Sequence, residues 1–251
     1  MACATITFVA MLAAGPGLFK VSAVDWLANF SMAAPHLGRA YVDGAYWSLL
    51  VEIKFYAVVA LAFAGLGQRF WIGVAGFALA AAAVSLVRPG NAADWLIAPY
   101  MPLFLLGMAG WFWIAARRGR AALACLAVAA VTYGMTSRYL VGIVDDRALR
   151  PWVHAAILVP SLAMLGLLML RPVNLGPLGY LGRCSYSLYL LHQKIGVTII
   201  AALTPFMPDG MAIAAAVAAC VAGAVVMYEA VEKPAQRGLT ALYRRRLAPG
   251  R

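Results

Sequence analysis

Residues 41–56 read YVDGAYWSLLVEIKFY. The run is apolar, continues as AVVALAFA over 57–64, and still carries a carboxylate at Glu52 and an ammonium at Lys54. Both charges sit well inside a segment that otherwise reads as a membrane helix, roughly 12 Å along it at 1.5 Å per residue. A charge at that depth is costly unless it meets protein, water or a partner, so the stretch is a functional candidate. On a helix Ser48, Glu52 and Tyr56 recur every four residues and form one polar edge. Lys54 is two residues from Glu52 and shares a stripe with Trp47, so the two charges do not pair across one face. Glu52 can act as a base, orient a cation or join two helices. Lys54 can snorkel to an interface or meet a substrate carboxylate or phosphate. A structural ion pair or buried hydrogen bond is the plainer alternative.

Composition agrees with a membrane setting. Of 251 residues 65% are hydrophobic and 12% charged, against about 45–50% and 25% in an ordinary soluble domain. Mean hydropathy is +0.85. The fold class is all-α, a polytopic helical membrane protein. The net charge of +11 is scattered over loops and one basic tail, which fits topogenic arginines and contacts with anionic membrane lipids, and no nucleic acid partner is expected. Cys3, Cys125, Cys184 and Cys220 are isolated and read as small buried hydrophobes. With three scattered histidines they offer no metal-ligand spacing.

The chain divides into about eight apolar segments, near 4–19, 45–66, 70–87, 96–115, 121–137, 152–170, 184–204 and 211–230. A Gly-Pro-Gly at 15–17 follows the first. The loop over 20–44 holds His36, a turn at Pro35, and Asp43, which is placed to cap the next helix. Arg88-Pro89-Gly90-Asn91 stops the third segment. Gly107 and Gly110 permit close helix packing in the fourth. A mixed-charge loop with Asp145, Asp146 and Arg147 precedes a helix start at Pro151. The Gly- and Pro-rich loop 171–183 precedes the seventh segment, and Pro234 is expected to end the last helix or open an interfacial one. The loops 67–69, 116–120 and 171–183 with the tail hold twelve Lys and Arg; the other side holds six. The positive-inside rule then places the C-terminal tail, 238–251, in the cytoplasm.

The seventh segment is polar on its first two turns. Ser185, Tyr189, His192 and Gly196 recur at i, i+4, i+7 and i+11 and share one face. His192 suits acid–base work near neutral pH, or is simply a hydrogen-bonded core histidine. His36 and His154 are weaker candidates, at a loop and at a helix end. Glu229 and Lys233 are spaced for an i,i+4 pair, read as structural.

Two segments together resemble a known family. AYWSLLVEIKFY (45–56) resembles the Trp-Ser-Leu-x-Val-Glu-x-x-Phe-Tyr motif of the membrane acyltransferase-3 family, and LGRCSYSLYLLHQKIG (181–196) its late Leu-Gly-x-x-Ser-Tyr-x-Leu-Tyr-Leu-x-His motif. Tyr228, Glu229, Glu232, Lys233 and Pro234 resemble its final helix, and the three occur in family order. The resemblance covers essentially the whole chain as one integral membrane domain, 1–251. It implies transfer of an acyl group, commonly acetyl, from acyl-CoA as co-substrate to a hydroxyl of a carbohydrate or other acceptor, in the bacterial inner membrane, with no permanently bound cofactor. It places Trp47, Ser48, Glu52 and Tyr56 on the first motif and Tyr189 and His192 on the second. Lys54 and Tyr189 join the site-lining residues, and Glu52 and His192 take supporting catalytic roles. The family is built of about ten spans of about 20 residues. This chain resembles its C-terminal majority and is expected to lack the N-terminal spans, with their principal histidine and arginines. A catalytically incomplete membrane scaffold or partner is the alternative, and a transporter or flippase the more distant one, since no internal repeat stands out.

Overall fold

The computed structural model describes residues 2–15, 20, 22–88, 91–140, 148–170 and 176–247. The Pro16–Gly17 and Pro89–Gly90 turns, the loop with Asp145, Asp146 and Arg147, the first half of loop 171–183 and the last four tail residues lie outside the described residues. Among the described residues all regular structure is helical: α1 (Ala2–Ala14), α2 (Ala23–Asn29), α3 (Trp47–Leu66), α4 (Phe70–Val87), α5 (Asn91–Trp95), α6 (Met101–Ile114), α7 (Gly119–Leu140), α8 (Arg150–Leu170), α9 (Pro177–Leu203), α10 (Asp209–Met227) and α11 (Lys233–Leu247).

Among the described residues four stretches are long and apolar enough to cross a membrane: Gly44–Val87, Gly119–Tyr139, Arg150–Leu167 and Asp209–Arg244. The first holds both α3 and α4, joined by a tight turn at Gly67–Arg69 in which Gly67 adopts φ +52°. The apolar segments expected near 4–19 and 96–115 form shorter helices, and α9, although 27 residues long, is polar through its early turns. The sequence-based count of about eight is therefore not reproduced by length and hydropathy together.

Local chemistry explains the boundaries. Ser22 caps α2: its Oγ accepts from the Asp25 N–H, and the Asp25 carboxylate accepts from the Ser22 N–H in return. Those bonds from Ser22 hold the Asp25 carboxyl below the usual carboxylate range. Pro35 lies in the turn Ala34–Leu37, as its residue type requires, and Pro151 is the second residue of α8. One boundary differs from the sequence reading. Residues 177–183 are helix, not loop: Pro177 is the first residue of α9, where its missing N–H costs nothing, after Gly176 at φ +49°. Pro234 is the second residue of α11, so it opens a further helix, in line with the second of the two expectations. A π turn at Tyr228–Glu232 precedes it, with the Lys233 N–H bonded to the Tyr228 carbonyl, and α11 continues directly. Widening the turn ahead of the proline accommodates a residue that cannot donate and would crowd the carbonyl four residues back.

The chain forms two compact units, Met1–Leu50 with Asn174–Arg251, and Val51–Val173. In the first, α9 packs against α10 and α1. Cys3, Met11, Leu49, Leu190 and Met227 belong to its core. In the second, α6 packs on α7 around Met101, Leu105, Ala109 and Phe112, all fully buried, with Phe55 stacked on Phe104 at 4.0 Å between ring centroids. Buried hydroxyls there return to their own helix: Ser85 to the Ala81 carbonyl, Thr132 to Val128 and Thr136 to Thr132, at 2.7–2.8 Å. That is how a polar group is satisfied where no water reaches it. His154 is half-buried, with Nδ1 2.8 Å from Tyr133 Oη.

The two glycines of α6 separate under this scrutiny. A Cβ on Gly110 would lie 2.7 Å from Leu165 Cδ1 of α8, whereas nothing lies within 4 Å of one on Gly107. Gly110 is thus the close-approach residue. Gly110→Leu is expected to lower the thermal midpoint of the detergent-solubilised protein, and Gly107→Ala to leave it unchanged or raise it, since helix propensity favours alanine over glycine by up to about 1 kcal/mol. Equal midpoints for the two variants would refute the assignment.

Candidate functional site

The first unit brings the early and late motifs together at a buried carboxylate. Asp43 is fully buried. Its Oδ1 accepts from the Ala45 N–H at 2.9 Å, the expected cap, and its Oδ2 accepts from the Lys194 N–H of α9 at 3.1 Å. A carboxylate out of water is tolerable only when donors answer it, and these two answer from opposite sides of one contact. The residue next to Asp43 must be small: a Cβ on Gly44 would meet Gln193 Oε1 at 2.8 Å. One turn on, the Ala45 carbonyl accepts from Tyr189 Oη at 3.0 Å and from Ser48 Oγ at 3.1 Å, and the two hydroxyl oxygens are 2.7 Å apart. Ser48 therefore spends its hydroxyl on Tyr189 and its own helix.

The late motif is docked in turn to the last one. Ser187 Oγ donates to Glu232 Oε2 at 2.9 Å, and Tyr180 Oη to Glu229 Oε1 at 3.0 Å. Glu229 also pairs with Lys233, the expected i,i+4 contact, and Gln236 Nε2 donates to Glu232 Oε1 at 3.1 Å. The π turn carries Glu229 and Glu232, and such turns recur at functional sites.

Two cavities flank α9. On one face Ser185, Tyr189, His192 and Gly196, the four residues aligned by sequence spacing, line an open groove of about 650 Å³ shared with Ile213 and Val217 of α10. His192 is exposed rather than a core residue. Its Nδ1 lies 2.8 Å from the Tyr189 carbonyl. A carbonyl oxygen only accepts, so Nδ1 carries the hydrogen and a neutral ring keeps its lone pair on Nε2. On the other face Tyr186, Ser187 and Leu190 line a smaller cavity with Tyr46, Leu49 and Glu232.

Glu52, Lys54 and Tyr56 belong to the second unit. Glu52 is half-buried, and among the described residues it makes no hydrogen bond or ion pair. Lys54 is half-buried with Nζ 4.9 Å from the ring centroid of Trp95, a cation–π contact. Tyr56 is exposed, its ring tilted against Phe55. Trp47, on the last residues of the first unit, is exposed as well. Ser48, Tyr189 and His192 are thus assembled in one place, while Glu52, Lys54 and Tyr56 stand in the other unit.

Sequence reasoning missed three features. Asp43 was legible as a cap but not as the carboxylate that receives α9, because its second donor is a backbone group 151 residues away. Trp95 gave no sign of facing Lys54. Tyr46 is an interior residue whose hydroxyl is buried beside that of Thr7, a pairing no sequence spacing suggests. Replacing Asp43 tests the latch. Asp43→Ala strands a buried N–H and is expected to cost about 1–3 kcal/mol, read as a lowered thermal midpoint in detergent; an unchanged midpoint would remove the carboxylate from the docking.

Comparison with known proteins identifies the family. The acyltransferase-3 family model, described as an acyltransferase domain, matches residues 1–229. No curated protein and no solved structure matches the chain. The matched span takes in the early motif, the late motif and the start of the π turn, and on that extent the chain belongs to the acyltransferase-3 family of membrane acyltransferases.

Proposed function

We propose that this membrane acyltransferase moves an acyl group, acetyl in the simplest case, from acyl-CoA to a hydroxyl of a carbohydrate or other acceptor. The observation that carries the reading is the family match over 1–229, supported by the docking of early, late and final motifs on α9. The acceptor oxygen forms a new C–O bond to the thioester carbon, the C–S bond breaks, and the acceptor's proton ends on the CoA thiol. His192 supports the reaction with the free lone pair of Nε2, which can accept a hydrogen bond from an incoming hydroxyl at the wall of an apolar groove. Glu52 supports it as a carboxylate uncommitted to any other described group. The setting proposed is the bacterial inner membrane with the basic C-terminus in the cytoplasm, where the arginines of α11 face anionic lipid headgroups.

Transfer of radiolabelled acetyl groups from acetyl-CoA in membranes containing the chain tests this. The native chain is expected to label endogenous acceptor, and Glu52→Gln and His192→Ala to lower labelling by about tenfold or more each, a transition-state loss of roughly 1.4 kcal/mol. Unchanged labelling in both variants at equal expression would strip these residues of their roles.

A further inference from the structure

α10 and α11 form one continuous run of helix that changes character at the π turn. The 19 residues of α10 carry a single charge, Asp209 at the start. At 1.5 Å per residue they span roughly 28 Å, close to the thickness of a bilayer's hydrocarbon core. α11 therefore begins where the headgroups do. It includes Lys233, Arg237, Arg244, Arg245 and Arg246 and no acid, so continuing through hydrocarbon would be costly. A π turn and a proline are both places where helices change direction, and both fall at this junction.

Yet α11 is not polar all round. Leu239, Leu242 and Tyr243 stand at i, i+3 and i+4 and form one stripe with Ala235. The stripe is bare: the three larger residues are 68%, 47% and 59% exposed. Gln236, Arg237, Thr240 and Arg244 line an open groove along another face. Lys233 is spent on Glu229, and Gln236 on Glu232. Arg237 and Arg244 form no ion pair among the described residues. They lie two turns apart, about 10 Å along the axis.

This pattern selects what covers the helix. A bilayer surface offers both complements at once, acyl chains at one depth and phosphates just above them. The cations favour an anionic leaflet, each by about fivefold. A second copy of α11 is the poorer complement, since it would set cation against cation.

We propose that α11 is an interfacial helix lying along an anionic membrane surface, with Leu239, Leu242 and Tyr243 turned to the acyl chains and Arg237 and Arg244 on lipid phosphates. Tyr243 suits the boundary, with an apolar ring and a polar tip. The inference rests on the membrane setting proposed above and not on the chemistry, so a failed transfer assay leaves it standing.

Single cysteines read the seating. The four native cysteines are buried, so an added surface thiol is the reactive one. Leu239 and Thr240 are both exposed, and replacing either removes no packed side chain. The full chain bearing Leu239→Cys or Thr240→Cys is placed in nanodiscs of phosphatidylcholine, alone or mixed with phosphatidylglycerol, and labelled with a water-soluble maleimide. The ratio of the Leu239→Cys rate to the Thr240→Cys rate is expected to be about tenfold or more lower in the anionic discs, the effect of two or more cations. Taking the ratio cancels the influence of the negative surface on thiol ionisation. Molar salt, which shortens screening to about 3 Å, is expected to restore the ratio, and so is the double replacement Arg237→Gln with Arg244→Gln. A ratio equal in both lipids overturns the proposal. So does a ratio already low in neutral discs and in detergent, which marks cover by protein rather than by anionic lipid.

Discussion

A carboxylate removed from water must be answered by protein donors, and Asp43 is answered by two backbone N–H groups. One belongs to the turn that leads into α3 and the other to the middle of α9, so the charge cannot be satisfied unless the two segments meet in one register. Gly44 and Ala45 then fall against Gln193 and Tyr189. The acyltransferase motif around Trp47 and the later one around His192 are 151 residues apart at the atoms of this contact. Their joint appearance reflects a single docking event, fixed by main-chain hydrogen bonds that any side-chain pattern on α9 must respect.

α9 extends the same logic to the end of the chain. Ser187 and Tyr180 donate to Glu232 and Glu229, and both acids are presented by a π turn that exists where Pro234 removes a donor. The proline therefore does more than interrupt a helix. It coincides with a widened turn that carries two carboxylates toward one neighbour, and α11 resumes beyond it as a strongly basic helix. The late motif, carried on α9, thus meets both the early and the final one.

The all-helical membrane class was legible because composition and long apolar runs exclude other solutions. The shared face of Ser185, Tyr189, His192 and Gly196 was legible because helical spacing alone determines it, and all four line one groove. The Glu229–Lys233 pair and the Asp43 cap were local and equally readable. Span count was not, since α1 and α6 are short and α9 dilutes its apolar length with polar turns that dock it to its neighbours. The start of α9 was hidden by Pro177, Gly179 and Gly182, which look like loop residues although a proline at a first helical position is favourable. The Lys54–Trp95 contact and the cavity at Tyr46 depend on tertiary placement, which no local pattern encodes.

Sorting the polar groups by whether the fold already uses them separates scaffold from chemistry. Ser48, Tyr189, Ser187, Glu232, Tyr180 and Glu229 are all partnered, so the motif residues they represent hold helices together. Among the described residues of the family motifs, the Nε2 of His192 and the Glu52 carboxylate keep capacity to spare, and these are the groups free to meet a substrate.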